Sequence, residues 1–287
     1  MLSNLNNTNQ KLEWLCIKIP FILFSINQLV STLIPINSIS SGKGVCSLFD
    51  CNPLLSDIFK VVIISLLLVF SILYIMEKQM IISTFGIFCI ALLVFSLHES
   101  FGVSARTGVF TLIWLAQFFA YLFYKNNPNQ ILLHKNRIFY PVQVIVACYT
   151  LAGLSKIWTS GLSWLYDARL MTLQLLKSNQ MNYFDGKIPA ESILSSKVQF
   201  VFDHKEFMAT LLMIALLIEI TSGFGLLNKK MTIIYGCLLL SLHIGIDLFF
   251  NVKIEAFYKS MIIFMINPFY LIYLFINKIP IFRPKTL

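Results

Sequence analysis

The sequence predicts an all-α, polytopic transmembrane helical bundle, a single integral membrane domain over residues 1–287, and three observations carry that expectation. Of 287 residues 57% are hydrophobic, among them 26 Phe, only 12% are charged, and the mean hydropathy is +0.78. A soluble core cannot hide so much apolar surface, and the apolar runs are as long as a bilayer is thick.

Runs of about 17–25 apolar residues place eight spans near 14–34, 57–76, 80–97, 107–124, 138–157, 206–227, 230–250 and 256–277. The first is interrupted by Lys18, Pro20 and Asn27, so a seven-span reading stays open. Residues 1–13 are polar and lack the n-region, h-region and small-residue cleavage site of a signal peptide, so the first run is expected to remain as a helix.

With the N-terminus inside, the cytoplasmic side collects Lys11, Lys78, Lys125, Lys135, Arg137, Lys229, Lys230, Lys278, Arg283 and Lys285. The positive-inside rule therefore predicts a multi-pass cell-membrane protein with both termini cytoplasmic. The net charge of +9 is then a consequence of topology. These basic residues flank spans and form no aromatic-interleaved patch, which argues against nucleic acid as a partner and leaves the lipid bilayer as the expected one.

This orientation puts loops 35–56 and 158–205 outside. The second is too long for a simple connection, and its residues 161–176 read as an interfacial or re-entrant helix. Trp158, Trp164 and Tyr166 suit headgroup depth, either as a surface anchor or as part of a lid over an outer cavity.

Four of the six cysteines, Cys16, Cys89, Cys148 and Cys237, are scattered singly through apolar runs as small hydrophobes, and no metal site is predicted. Cys46 and Cys51 share the first outer loop, where an oxidising compartment permits a disulfide; two free thiols are the alternative. The tight C-x-x-C spacing of thiol oxidoreductases is missing.

Lys156 is the polar residue that most needs a reason. An ammonium at bilayer depth costs about 2.5–3.5 kcal/mol on insertion scales unless it snorkels, finds a partner or meets water. It either marks a helix end or faces a polar cavity as a base. His98 and Glu99 end the third span, and His243 with Asp247 lie in the second half of the seventh, all toward the same outer level as Lys156. At i, i+4 the Asp247 carboxylate could orient the His243 imidazole. Tyr149, Gly153 and Lys156 share a helical face, and Gly153 would let a helix or a ligand approach closely. Glu219 reads as apart from this group, nearer the middle or inner part of the sixth span. Each has a structural alternative: interfacial residues for His98 and Glu99, internal pairing for His243 and Asp247, and a backbone amide or a lysine of another helix as partner for Glu219. No nucleophile elbow, H-E-x-x-H or phosphate-cradling loop occurs.

The segment Tyr149 to Trp164, with aromatic-x-x-Ala-Gly-x-x-Lys followed by Trp and Gly, resembles the equivalent stretch of vitamin K-dependent gamma-carboxylase and its bacterial relatives, the horizontally transferred transmembrane (HTTM) family. Glu219-Ile220-Thr221-Ser222-Gly223-Phe224, His243 and Asn267-Pro268-Phe269 are similar to later landmarks of that family, and the resemblance covers roughly residues 90–272. Ala-Gly-x-x-Lys alone also resembles the smaller DoxX-like membrane proteins. The resemblance implies that Lys156 is a base taking a proton from a reduced quinone and that His98 matches a second histidine of the quinone chemistry; the cluster at one outer level adds His98, His243 and Asp247 as residues expected to tune the base or relay protons, with Tyr149 and Gly153 expected at the cofactor. The carboxylase has a large lumenal region after its membrane helices, whereas about ten residues follow the last span of this chain, so carboxylation of glutamate is not implied.

Two functions follow as expectations. One is a membrane-embedded oxidoreductase or lyase-like enzyme using a quinone or another lipid-soluble substrate. The other is a non-catalytic factor for maturation, export or immunity of a small secreted antimicrobial peptide, as in sporulation-delaying-protein type members of the HTTM family. A transporter is the weakest expectation, since the sequence shows neither paired discontinuous helices nor inverted repeats.

Overall fold

The computed structural model describes residues 2–35, 44–100, 107–127, 130–161, 163, 168–250 and 254–277. The fold is all-α, and among these residues seven helices are long and apolar enough to cross a membrane. The interrupted first run is one of them, at Asn9–Leu33. The shortfall from eight lies instead at Gly108–Tyr124, whose 17 residues fall one below an 18-residue span. At 1.5 Å per residue this helix is about 26 Å long, slightly less than a hydrocarbon core.

The chain divides into two compact units, Met1–Ile145 with Glu255–Leu287, and Val146–Ile254. In the first unit α1 (Leu2–Leu33) and α2 (Asp57–Ile75) fasten each other's ends. Lys18 of α1 donates to the carbonyl of Ile75 at 3.0 Å, and Lys60 of α2 donates to that of Ile34 at 3.1 Å. Both lysines are buried, and each places positive charge on carbonyls that a helix C-terminus leaves without an intrahelical donor. Lys18 also meets Glu77 at 2.8 Å, in the turn between α2 and α3 (Met80–Ser100). Glu77 and Gln79 adopt left-handed φ values of 55° and 48°, which non-glycine residues take up only when their surroundings hold them.

Aromatic packing fills the centre of this unit. Phe21 lies 4.7 Å from Trp114 of α4 (Gly108–Tyr124) and 4.8 Å from Phe264, centroid to centroid, while Tyr74 meets Trp114 edge-on at 5.1 Å. Pro141, inside α5 (Gln130–Ser160), has no N–H for the carbonyl of Arg137 four residues back. Gln117 of α4 fills the vacancy, its Nε2 donating to Arg137 O at 2.7 Å while its Oε1 accepts from Tyr74 at 3.3 Å. The Arg137 guanidinium stacks 4.2 Å over Trp14 and donates to His134 Nδ1 at 3.1 Å. Since a guanidinium only donates, the neutral imidazole carries its proton on Nε2, facing Glu13 at 3.4 Å.

The final apolar segment is broken within its length. It runs as α10 (Glu255–Met261), a π-helical turn (Ile262–Ile266) and, after Asn267, α11 (Pro268–Ile276). Asn267 is left-handed (φ 50°), caps α11 by accepting from Tyr270 N, and donates to Glu13 O at 3.3 Å. Asn267-Pro268-Phe269 therefore marks a restart within the span expected over 256–277.

The second unit contains the rest of α5, α6 (Ala168–Phe184), α7 (Ser196–Asp203), α8 (Lys205–Thr221), a 3₁₀ turn (Ser222–Leu226) and α9 (Lys229–Phe250). Leu175, Val198, Val201 and Met208 form a buried cluster that joins α6, α7 and α8. Of the helix expected over 161–176, residues 168–176 lie in α6, which runs on to Phe184, while residues 162 and 164–167 lie outside the described residues. Trp164 and Tyr166 lie outside the described residues, and Trp158 is 91% exposed on the last turns of α5.

Candidate functional site

One stripe of α5 meets Glu219, Ser222 and His243, polar side chains of the second unit. Val146, Tyr149, Thr150, Gly153 and Lys156 recur at three- and four-residue intervals, hence on one helical face. Lys156 Nζ donates to both carboxylate oxygens of Glu219, at 2.5 and 2.7 Å. The lysine side chain is 31% exposed and that of Glu219 7%, so the carboxylate is enclosed while the amine stays within reach of its surroundings.

Gly153 makes this approach possible. A Cβ there would stand 2.9 Å from Ile220 Cγ1, 3.1 Å from Glu219 Cβ and 3.2 Å from the Ile220 amide nitrogen. The space over this glycine is thus taken by α8, of the two approaches that a missing side chain permits. One turn earlier on α5, Thr150 and Ser222 share a hydrogen bond at 2.9 Å, and Ser222 donates to Val146 O at 3.3 Å. These bonds fix the place where α8 gives way to the 3₁₀ turn.

A second pair lies further along the stripe. The Tyr149 hydroxyl and His243 Nε2 share a hydrogen bond, with both side chains buried and the rings edge-on, centroids 5.7 Å apart. Tyr149 and Lys156 are two turns apart, about 10 Å of helix rise, with Gly153 between them. The phenol–imidazole pair and the ammonium–carboxylate pair are therefore separate sites on one face.

Of the residues singled out from the sequence, the second unit brings Lys156, Tyr149, Gly153 and His243 onto or against this stripe. Asp247 is one turn beyond His243 on α9, half-buried, and makes no hydrogen bond or ion pair with a described residue. His98 belongs to the first unit, in the last turn of α3, with its Nδ1 enclosed and unbonded among the described residues. There Cys46 and Cys51 form a disulfide. Cys51 packs with Leu55 and Leu97, and Cys46 N donates to Ser100 Oγ at 3.4 Å, so the loop is fastened to the end of α3 beside His98.

Glu219 was the residue that sequence reasoning set apart. Depth read from span ends puts Lys156 toward the outside and Glu219 nearer the middle or inner part of its span. However, α5 has 31 residues, about 46 Å, so the end of the helix is not the end of a span. The usable signal was charge balance: a carboxylate and an ammonium, each costly alone in apolar segments, are cheaper together. Among the described residues no group of three His, Cys, Asp or Glu could hold a metal ion. No protein family, curated protein or solved structure matches the chain.

Proposed function

We propose that this polytopic membrane protein carries an intramembrane proton-transfer site and acts on a weakly acidic, lipid-soluble substrate, with a reduced quinone as the substrate class. The carrying observation is the unequal burial of Lys156 and Glu219. Moving one proton across their contact converts ammonium and carboxylate into amine and carboxylic acid without changing the net charge. The amine can then take the proton of a quinol hydroxyl, leaving the quinolate beside the restored ammonium, while Glu219 holds the proton that Lys156 gave up. The resemblance of Tyr149 to Trp164 to the HTTM family supports the same use of Lys156. The Cys46–Cys51 disulfide supports an oxidising compartment for the α1–α2 connection, in keeping with a cytoplasmic N-terminus.

The test uses the full chain in phospholipid vesicles loaded with a reduced, isoprenylated naphthoquinone. Deprotonation speeds oxidation of the quinol by dissolved oxygen, and the quinone product is read by absorbance against protein-free vesicles. Lys156→Arg is the informative variant, because a guanidinium keeps the two-pronged carboxylate contact and the fold but never gives up its proton. It should lower turnover on the order of 10²-fold or more with unchanged thermal unfolding. Turnover equal to that of the unaltered chain would sink the base role, and none above protein-free vesicles would sink the quinol substrate.

A further inference from the structure

Away from the α5 stripe, an open groove of about 300 Å³ lies between α7 and α9, lined by Ser196, Lys197, Phe200, Leu248 and Phe249. We propose that this groove binds the headgroup and glycerol region of an anionic phospholipid, a reading independent of the chemistry at Lys156.

Its position follows from the helix that forms one wall. The apolar stretch Lys229–Phe249 has 21 residues, about 31 Å, which matches a hydrocarbon core. Leu248 and Phe249 close that stretch, so the groove opens where a span meets the headgroups. Phospholipid is the amphiphile present at that level at the highest concentration. Phe200 and Phe249 face each other nearly parallel across a centroid distance of 6.5 Å, offering apolar walls to glycerol and the first acyl methylenes.

The sign of the headgroup follows from the polar end. Lys197 is the charged residue among the lining side chains, and its ammonium is held in place by donating to Leu248 O at 3.1 Å, with two further N–H bonds free to point outward. Ser196 and Lys197 are also the first residues of α7; the amides of Val198 and Gln199 donate to Ser195 O, whereas those of Ser196 and Lys197 have no helical acceptor, and Ser195 makes no side-chain cap there. The nearest carboxylate along α7, Asp203, is engaged by Gln199 Nε2 at 2.9 and 3.0 Å. A phosphodiester satisfies the ammonium and the amides together, and a zwitterionic lipid brings its own cation to the same place.

The experiment equilibrates the detergent-solubilised full chain with equimolar phosphatidylglycerol and phosphatidylcholine and quantifies both in the repurified protein. The unaltered chain should retain phosphatidylglycerol at least about fivefold over phosphatidylcholine. Lys197→Gln, at an exposed position, should bring the ratio close to one, and Lys205→Gln, off the groove, should leave it unchanged. Absence of preference in the unaltered chain, or its persistence in Lys197→Gln, overturns the proposal. Displacement of phosphatidylglycerol by millimolar inorganic phosphate also overturns it, since the groove would then be a simple anion site without a lipid component.

Discussion

Lys156 grips both oxygens of Glu219, but only the glutamate is enclosed. Loss of the lysine would leave a carboxylate trapped in an apolar setting, whereas loss of the glutamate charge would leave an amine that is only partly enclosed. Lys156→Ala should therefore cost on the order of 3 kcal/mol and Glu219→Gln about 1 kcal/mol. Replacing both by apolar residues, Lys156→Met with Glu219→Leu, should recover most of the first loss. Thermal unfolding of the purified variants reads the order, and a larger cost for Glu219→Gln would show that the lysine is the trapped partner.

The contact of α5 with α8 depends on one missing methyl group. In Gly153→Ala the new Cβ meets Ile220 Cγ1 and, less yieldingly, the Ile220 backbone nitrogen. The helices must part by a few tenths of an ångström, at a cost of about 1–3 kcal/mol for overpacking. Gly245→Ala on α9 is the control: nothing lies within 4 Å of its Cβ. There the gain in helix propensity, up to about 1 kcal/mol, should appear undiminished. Equal effects at the two glycines in thermal unfolding would refute a close helix contact at Gly153.

Outside the spans, Glu77 predicts a pH dependence. Partial burial pushes its carboxyl up, but the hydrogen bond and charge of Lys18, with the charge of the Arg137 guanidinium, outweigh this and hold it below the usual range. A depressed folded value means that the contribution is present above the unfolded value, near 4.5, and is lost as pH falls through the folded value. The carboxylate is 48% exposed, so screening keeps the effect small. The melting temperature of the unaltered chain should exceed that of Glu77→Gln at pH 7, and the gap should close below about pH 4.5. A gap that is constant with pH would assign the effect to the left-handed turn geometry in place of the charge.

How far these features were legible depended on whether they are local. The spans followed from composition, and the α5 stripe from spacing, because both are properties of one segment. The Cys46 and Cys51 pairing stood as one of two readings, since five positions of separation permit the bond without requiring it. For Glu219 a lysine of another helix stood as one of two readings, but not which lysine, because pairing depends on where two helices cross, and α5 overruns a bilayer's thickness. The break at Asn267 was hidden: Pro after Asn is compatible with a helix end or a restart, and only the contact of Asn267 with Glu13 O, remote in sequence, selects the restart. His98 shows the converse problem, since a shared depth in a topology diagram says nothing about which unit a side chain belongs to.

The clearest test of how the first unit is assembled is the exchange between Pro141 and Gln117. The proline withholds the N–H that the Arg137 carbonyl would otherwise receive, and the glutamine of α4 supplies a substitute. Gln117→Leu should cost about 1–3 kcal/mol, because it strands that carbonyl and removes the acceptor of Tyr74. In a Pro141→Ala background the helix can satisfy Arg137 O by itself, leaving only the Tyr74 part of the loss. The double-mutant cycle should then show a coupling of about 0.5–1.5 kcal/mol, measured by thermal unfolding. Strict additivity would mean that the Gln117 amide contributes nothing through the carbonyl left open by Pro141.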